Sequence, residues 1–68
     1  MNTWAYETLH RVKEALAKSG YDSEGITTAK FIGWNDSDSE VHRITFIDGE
    51  GNYDGDNVYI DKDGKGEF

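Results

Sequence analysis

Carboxylates are the side chains in this chain whose type and spacing could do chemistry. Eleven of the fourteen Asp and Glu residues fall in sets spaced two residues apart. The sets are Asp22/Glu24, Asp36/Asp38/Glu40, Asp48/Glu50, Asp54/Asp56 and Asp61/Asp63. In an extended segment, residues i and i+2 share a face about 6.6 Å apart, which is similar to the spacing of successive phosphates along a nucleic-acid strand. The pattern therefore favours an acidic surface that binds cationic groups.

Two of these acidic segments resemble sites for a divalent cation. Asp61 and Asp63 fit positions 1 and 3 of an EF-hand loop, but Lys65 places a cation at position 5, where an oxygen ligand is needed. The glycine-rich run 48–56 has a spacing that fits no ordered ligand set. We therefore expect no metal site and no cofactor. A turn after Ile60 is expected to lead to a short final strand ending at Phe68.

Catalytic chemistry has little support in the sequence. The absence of cysteine excludes a disulfide framework, a thiolate zinc site and a cysteine nucleophile. His42 neighbours Glu40 and Asp48 on one face of a regular strand, and a His–carboxylate pair is the minimum for acid–base work. A third partner and a pocket are not visible, and His10 lies beside the apolar stripe of a helix. We interpret both as surface histidines and expect no catalytic residues and no enzyme activity.

Size and charge set the broad class. The chain has 68 residues and a formal net charge of −7, so residues 1–68 are expected to form a single domain with a small core. The negative charge argues against direct nucleic-acid binding, because electrostatics would oppose the encounter. Because residues 1–16 contain no long apolar run, we expect no signal peptide and no membrane span there. With no cysteine, a cytoplasmic location is expected.

The elements that must position the carboxylates begin with an amphipathic helix at about residues 3–19. Its apolar stripe is Ala5, Leu9, Val12 and Leu16, spaced 4, 3 and 4, with Ala15 beside it and Trp4 widening it at the start. Asn2 or Thr3 is expected to cap the first turn, and Gly20 lies where a left-handed C-cap residue belongs.

Three β-rich runs follow, at about 26–34, 41–47 and 57–61, with Tyr53 as an early start of the third. The predicted fold is α+β: one N-terminal amphipathic helix packed on a three-stranded antiparallel meander. Regular alternation in the first strand puts Ile32 and Trp34 on the face opposite Phe31. Phe31, Phe46 and one of the tryptophans are interpreted as core. The helix covers one sheet face, and loops with Phe68, or a second copy, are expected to cover the other.

Charge is unevenly distributed along the chain. Residues 1–20 carry two acids and three bases, whereas residues 21–68 carry twelve acids and four bases. From residue 36 to residue 56 there are seven acids, and the one base is Arg43. On a tiny α+β domain, this acidic series resembles small phage-encoded inhibitors of the anti-CRISPR and DNA-mimic kind. The resemblance implies a protein that blocks a nucleic-acid-binding partner by occupying its cationic groove, in the cytoplasm of the host cell.

The leading hypothesis is therefore an inhibitor of a basic nucleic-acid-binding protein or complex. The residues expected to bind the partner are Asp36, Asp38, Glu40, Asp48, Glu50, Asp54 and Asp56, with Trp34 and Tyr53 as aromatic anchors. The alternative is a small oligomerising domain that forms a homodimer through the uncovered sheet face, with its acidity serving solubility. A metal-dependent or hydrolytic enzyme is the third hypothesis.

Overall fold

A computed structural model describes residues 3–68 of the chain, and the surroundings of the side chains from Tyr6 onward. One helix is followed by a four-strand antiparallel sheet in the order β1-β2-β3-β4. The elements are α1 (Thr3–Lys18), β1 (Ile26–Trp34), β2 (Glu40–Ile47), β3 (Tyr53–Ile60) and β4 (Gly66–Glu67). The predicted α+β class is confirmed. β3 begins at Tyr53, the early start that the sequence indicates, and the short final strand expected after Ile60 is the two-residue β4, which adds a fourth strand to the predicted three-stranded meander.

The helix ends where Gly20 was predicted to stop it. Gly20 has a φ of +85°, the left-handed conformation that only glycine adopts at little cost. Its N–H donates to the carbonyl of Ala17 at 3.0 Å, and the Tyr21 N–H donates to the carbonyl of Leu16 at 3.0 Å. These two bonds form a Schellman motif. The predicted cap at Asn2 or Thr3, and the packing of Trp4 and Ala5, lie outside the described side chains.

The core lies between one face of the helix and one face of the sheet, which we call the inner face. The fully buried apolar residues are Val12, Ala15, Leu16, Ile26, Ile44, Val58 and Ile60. Leu9, Ala29 and Phe46 are partly buried against them. The helical residues of this core have the spacing of the predicted apolar stripe. In the sheet, Ile44 and Phe46 of β2 are two residues apart, as are Val58 and Ile60 of β3. A core of this size is consistent with a short chain.

Three turns of one kind join the four strands. In each, the first residue is Asn or Asp, and its Oδ1 accepts hydrogen bonds from the N–H groups two and four residues on, at 2.9–3.0 Å. The first residues are Asn35, Asp48 and Asp61. The fourth residue of each turn has a positive φ. Much of the two-residue spacing of the acids therefore arises because Asp residues are favoured in these turns. The segment that resembles the start of an EF-hand loop is one of the three turns.

A β-bulge in β1 changes which side chains share a face. Phe31 pairs with His42 and Gly33 pairs with Val41, so Ile32 is the extra residue. Trp34 then pairs with Glu40 and lies on the same face as Phe31, with the two rings edge-to-face and their centroids 6.0 Å apart. The predicted alternation is wrong at this point, because an inserted residue reverses the facing of every residue after it.

Helix and sheet approach each other closely at Gly66 in β4. A Cβ placed on Gly66 would lie 3.0 Å from the backbone N of Leu16 and 3.1 Å from the carbonyl carbon and Cβ of Ala15. These are atoms of the helix itself, which cannot move aside as the end of a flexible side chain would. The missing side chain of Gly66 thus sets the distance at which β4 packs on the helix.

We predict that Gly66→Ala lowers the free energy of unfolding by about 1–3 kcal/mol, because the added methyl group overpacks this contact. Chemical denaturation followed by tryptophan fluorescence measures the change. Gly49→Ala is the matched control, since nothing lies within 4 Å of a Cβ at that exposed position. Equal stabilities of the two variants would contradict this account of Gly66.

Candidate functional site

The residues predicted to form one acidic face lie at two opposite ends of the sheet. Glu40 pairs with Ile60 in the sheet, so the turns 35–39 and 61–65 share one end. The turn 48–52 lies at the other end, beyond the eight residues of β2, which span about 27 Å. Asp36 and Asp38 are therefore separated from Asp48 and Glu50 by the length of a strand.

Glu40 is bound within the fold. Its side chain is 15% exposed, and it accepts hydrogen bonds from Arg11 of the helix and from His42 Nε2, the latter at 3.2 Å. His42 itself is 2% exposed, so the interpretation of His42 as a surface histidine is wrong. The regular strand places His42 on the inner face between buried positions, and Asp48 is not among its contacts. This arrangement fastens the helix to the sheet through charge-assisted hydrogen bonds.

The predicted aromatic anchors Trp34 and Tyr53 are both exposed, at 66% and 69%. Trp34 stands with Phe31 beside a shallow groove that Thr8, Arg11, Glu40 and His42 complete. Phe31 is itself 44% exposed, so its interpretation as core is wrong, whereas Phe46 is partly buried as expected. Tyr53 pairs with Ile47, which puts it on the outer face of the sheet, away from Trp34.

Asp54 and Asp56 lie on the inner face of β3, where they share rows with Phe46 and Ile44. The inner-face residues of β3 are, in order, Asp54, Asp56, Val58 and Ile60. Val58 and Ile60 are buried, whereas both aspartates are exposed. The carboxylates also accept hydrogen bonds from the backbone N–H of the following residue at 2.8 Å. The helix thus covers the inner face at Val58 and Ile60 and leaves it uncovered at Asp54 and Asp56.

Residues 19–29 and 44–56 form the end of the sheet that holds the turn 48–52, and we call it the acidic end. It contains six carboxylates and no Lys or Arg: Asp22, Glu24, Asp48, Glu50, Asp54 and Asp56. The nearest cation along β2 is Arg43, which shares the outer face with Lys30 and lies against Gly55 there. The opposite end is mixed in charge, since Lys62 and Lys65 accompany the acids of its turns. Negative potential is therefore concentrated at one end.

An open cleft of about 380 Å³ lies within the acidic end. Its apolar lining comes from Ile26, Ile44, Phe46, Ile47 and Phe68, and its polar lining from Asp22, Gly25 and Asp56. The wall at Phe68 continues into Tyr21, because the two rings meet edge-to-face with centroids 5.2 Å apart. We name this feature the acidic cleft. It combines buried apolar side chains at its base with exposed carboxylates at its rim.

Asp22 and Phe68 were not predicted as site residues, although both line the acidic cleft. A signal for the cleft was present in β3, whose alternation of Asp, Asp, Val and Ile on one face shows that part of that face is uncovered. No comparable signal exists for Asp22, because it lies in a loop whose position depends on the end of the helix. Its Oδ1 accepts a hydrogen bond from the Glu24 N–H at 3.0 Å, which orients the carboxylate.

Comparison of the chain with protein-family models, with curated proteins and with solved structures finds no match in any of the three. In the part of the chain that the structure describes, no helix has the length and hydrophobicity needed to cross a bilayer. Within the same residues, no three His, Asp or Glu side chains converge as the ligands of a metal ion would.

We predict that Glu40→Gln lowers the free energy of unfolding by about 1–3 kcal/mol, because an amide cannot accept both charge-assisted hydrogen bonds from Arg11 and His42. Urea denaturation measures the loss. Glu50→Gln removes the same charge from an exposed position and is expected to leave stability almost unchanged. A similar small effect of both substitutions would show that Glu40 is not an internal contact.

Proposed function

We propose that this protein binds a cationic nucleic-acid-binding surface of a partner protein through its acidic end and thereby inhibits the partner. The observation that carries the proposal is the group of six carboxylates at the acidic end, which no Lys or Arg of residues 19–29 and 44–56 accompanies. A protein of this kind acts by binding, without catalysis, and belongs with the anti-CRISPR or DNA-mimic kind of inhibitor. It works in the cytoplasm, where its partner meets nucleic acid.

The concentration of negative charge at one end of the molecule supports this proposal more than the net charge does. A uniformly acidic protein has no preferred orientation toward a basic surface, whereas charge collected at one end steers that end into the encounter. Surfaces dense in Lys and Arg are typical of proteins that hold a phosphate backbone. A carboxylate-rich end would compete with that backbone for the same cations.

The predicted site residues divide accordingly. Glu50, Asp54 and Asp56 are exposed at the acidic end and form the proposed contact surface, together with Asp22 and Glu24. Asp48 belongs to the same surface, and its Oδ1 accepts two hydrogen bonds from backbone N–H groups of its own turn. Asp36, Asp38 and Trp34 lie at the opposite end, and Glu40 is occupied by Arg11 and His42; none of these four belongs to the proposed surface.

The test uses the immobilised protein to capture partners from cell extract, with identification by mass spectrometry and competition by duplex DNA. Captured proteins are expected to be basic, to be displaced by DNA, and to be lost when ionic strength rises about tenfold. The triple variant Glu24→Gln, Glu50→Gln, Asp54→Asn is expected to lose them. The matched control, Asp36→Asn, Asp38→Asn, Asp63→Asn, removes the same charge from the opposite end and is expected to retain them. Capture that neither DNA nor the first triple variant reduces would overturn the proposal.

The alternative function, a homodimer formed through the uncovered outer face, meets an electrostatic obstacle. Lys30 and Arg43 are directly opposite each other on neighbouring strands of that face, and the salt bridges among the described residues include neither. A two-fold dimer centred there would bring two such cation pairs together, and like charges at close range are destabilising. Exposed Tyr53 and Ile47 on this face are apolar, but they lie at its end rather than at its centre.

We therefore predict that the protein sediments as a monomer at micromolar concentration. Sedimentation velocity over about a hundredfold range of concentration makes the measurement, because mass action would favour a dimer at the upper end. A sedimentation coefficient that rises with concentration would favour the oligomerising function. Its loss in Tyr53→Ser would then assign the contact to the outer face.

A further inference from the structure

The acidic cleft has the two chemical parts that a long basic side chain requires. Its base is apolar, since Ile26 and Ile44 are buried and Phe46 is partly buried. Its rim carries the carboxylates of Asp22 and Asp56. Arg and Lys bury their aliphatic stems along apolar surface while the charged head remains with water or a counter-charge. Apolar ligands would leave the rim without a partner, and small cations would leave the base exposed to water.

The rim carboxylates are held in place and retain binding capacity. Asp22 Oδ1 accepts from the Glu24 N–H at 3.0 Å, and Asp56 Oδ1 accepts from the Asn57 N–H at 2.8 Å. Among the described residues, no donor contacts the second oxygen of either carboxylate. Each group is thus oriented by its own backbone and keeps one oxygen for a donor from outside.

We infer that the acidic cleft receives an arginine side chain of the partner, with its stem on Ile26 and Phe46 and its guanidinium at Asp22 and Asp56. This inference rests on the proposed function and names the partner residue that the acidic end would recognise. A volume of about 380 Å³ is at the small end of the range for ligand sites, which suits one side chain rather than a folded segment.

Arginine fits the acidic cleft better than lysine for two reasons. The planar guanidinium is more weakly hydrated than an ammonium and stacks on aromatic rings, and Phe68 with Tyr21 provides an aromatic wall. Its five N–H donors can also reach two separate carboxylates, whereas an ammonium acts as a point charge. Arg is in addition among the residues that contribute most to protein–protein binding energy.

The test titrates the ¹⁵N-labelled protein at low salt with blocked tripeptides Gly-Arg-Gly, Gly-Lys-Gly and Gly-citrulline-Gly, followed by NMR. The arginine peptide is expected to shift the amide signals of Gly25, Ile26 and Phe68, and to bind more tightly than the lysine peptide. Citrulline has the shape of arginine without its charge and is expected to cause no shifts there. The double variant Asp22→Asn, Asp56→Asn keeps the acceptors for the backbone N–H groups and is expected to weaken arginine binding about tenfold, as loss of charge-assisted contacts does.

Asp36→Asn with Asp38→Asn is the matched control, because it removes two charges from the opposite end. It is expected to bind the arginine peptide as the wild type does. Equal binding of citrulline, equal losses in the two double variants, or shifts spread over all acidic segments would overturn the inference.

Applying the same two double variants to the DNA-competed capture separates this inference from the proposed function. Capture that survives Asp22→Asn, Asp56→Asn shows that the acidic end binds its partner without using the cleft. Arginine binding in the cleft together with capture that DNA does not displace refutes the proposed inhibition and leaves the cleft inference standing.

Discussion

One helix of sixteen residues has to cover one face of a four-strand sheet, and most features of this protein follow from that constraint. The helix runs across the strands: Leu9 and Tyr6 lie near Thr28 and Ala29 of β1, and Leu16 packs on Gly66 of β4. A helix is about 10 Å wide, whereas the eight residues of β2 extend for about 27 Å. A crossing helix therefore covers a band of the inner face and leaves the remainder to other groups.

The two uncovered regions of the inner face are closed in different ways. On one side of the helix, Glu40 and His42 meet Arg11, and the aromatic rings of Phe31 and Trp34 stand beside them. On the other side, no residue of the described part of the helix lines the cleft beside Phe46 and Asp56, and the loop after the helix provides its boundary together with Phe68. The first region is fastened by internal polar contacts, which leaves the second as an open cleft.

Sequence periodicity predicts an element correctly where one repeat, helical or alternating, continues along the whole element. The prediction fails where one inserted residue moves the following side chains to the other face. Val12, Ala15 and Leu16 form the helical part of the core because spacing alone determines which side of a helix faces the sheet. The sequence puts Trp34 on the wrong face because regular alternation does not allow for the bulge at Ile32, which the neighbouring Gly33, with a φ of +147°, indicates. Alternation with Ile44 places His42 on the inner face, but its burial also depends on where the helix crosses the sheet, which no local pattern contains; the prediction of a surface histidine fails for that reason. Asp54 and Asp56 are predicted as binding residues from their charge, and their alternation with Val58 and Ile60 already places them on the core face of β3. The register adds the rows that they share with Phe46 and Ile44.

Charge and shape at the acidic end have the same origin. The helix supplies Arg11 to Glu40 at one end of the sheet, and its Lys18 lies close to Gly64 in the turn at that same end. Cations of the helix thus lie at the end of the sheet that holds the turns 35–39 and 61–65, whereas among the described residues no salt bridge joins a cation to Asp22, Asp54 or Asp56. The helix supplies both apolar cover and cations to the sheet, and at the acidic end it supplies neither. Uncovered apolar surface and carboxylates without a cationic partner therefore occur at the same place. A partner that supplies an aliphatic stem together with a positive charge would provide at this end what the helix provides at the other.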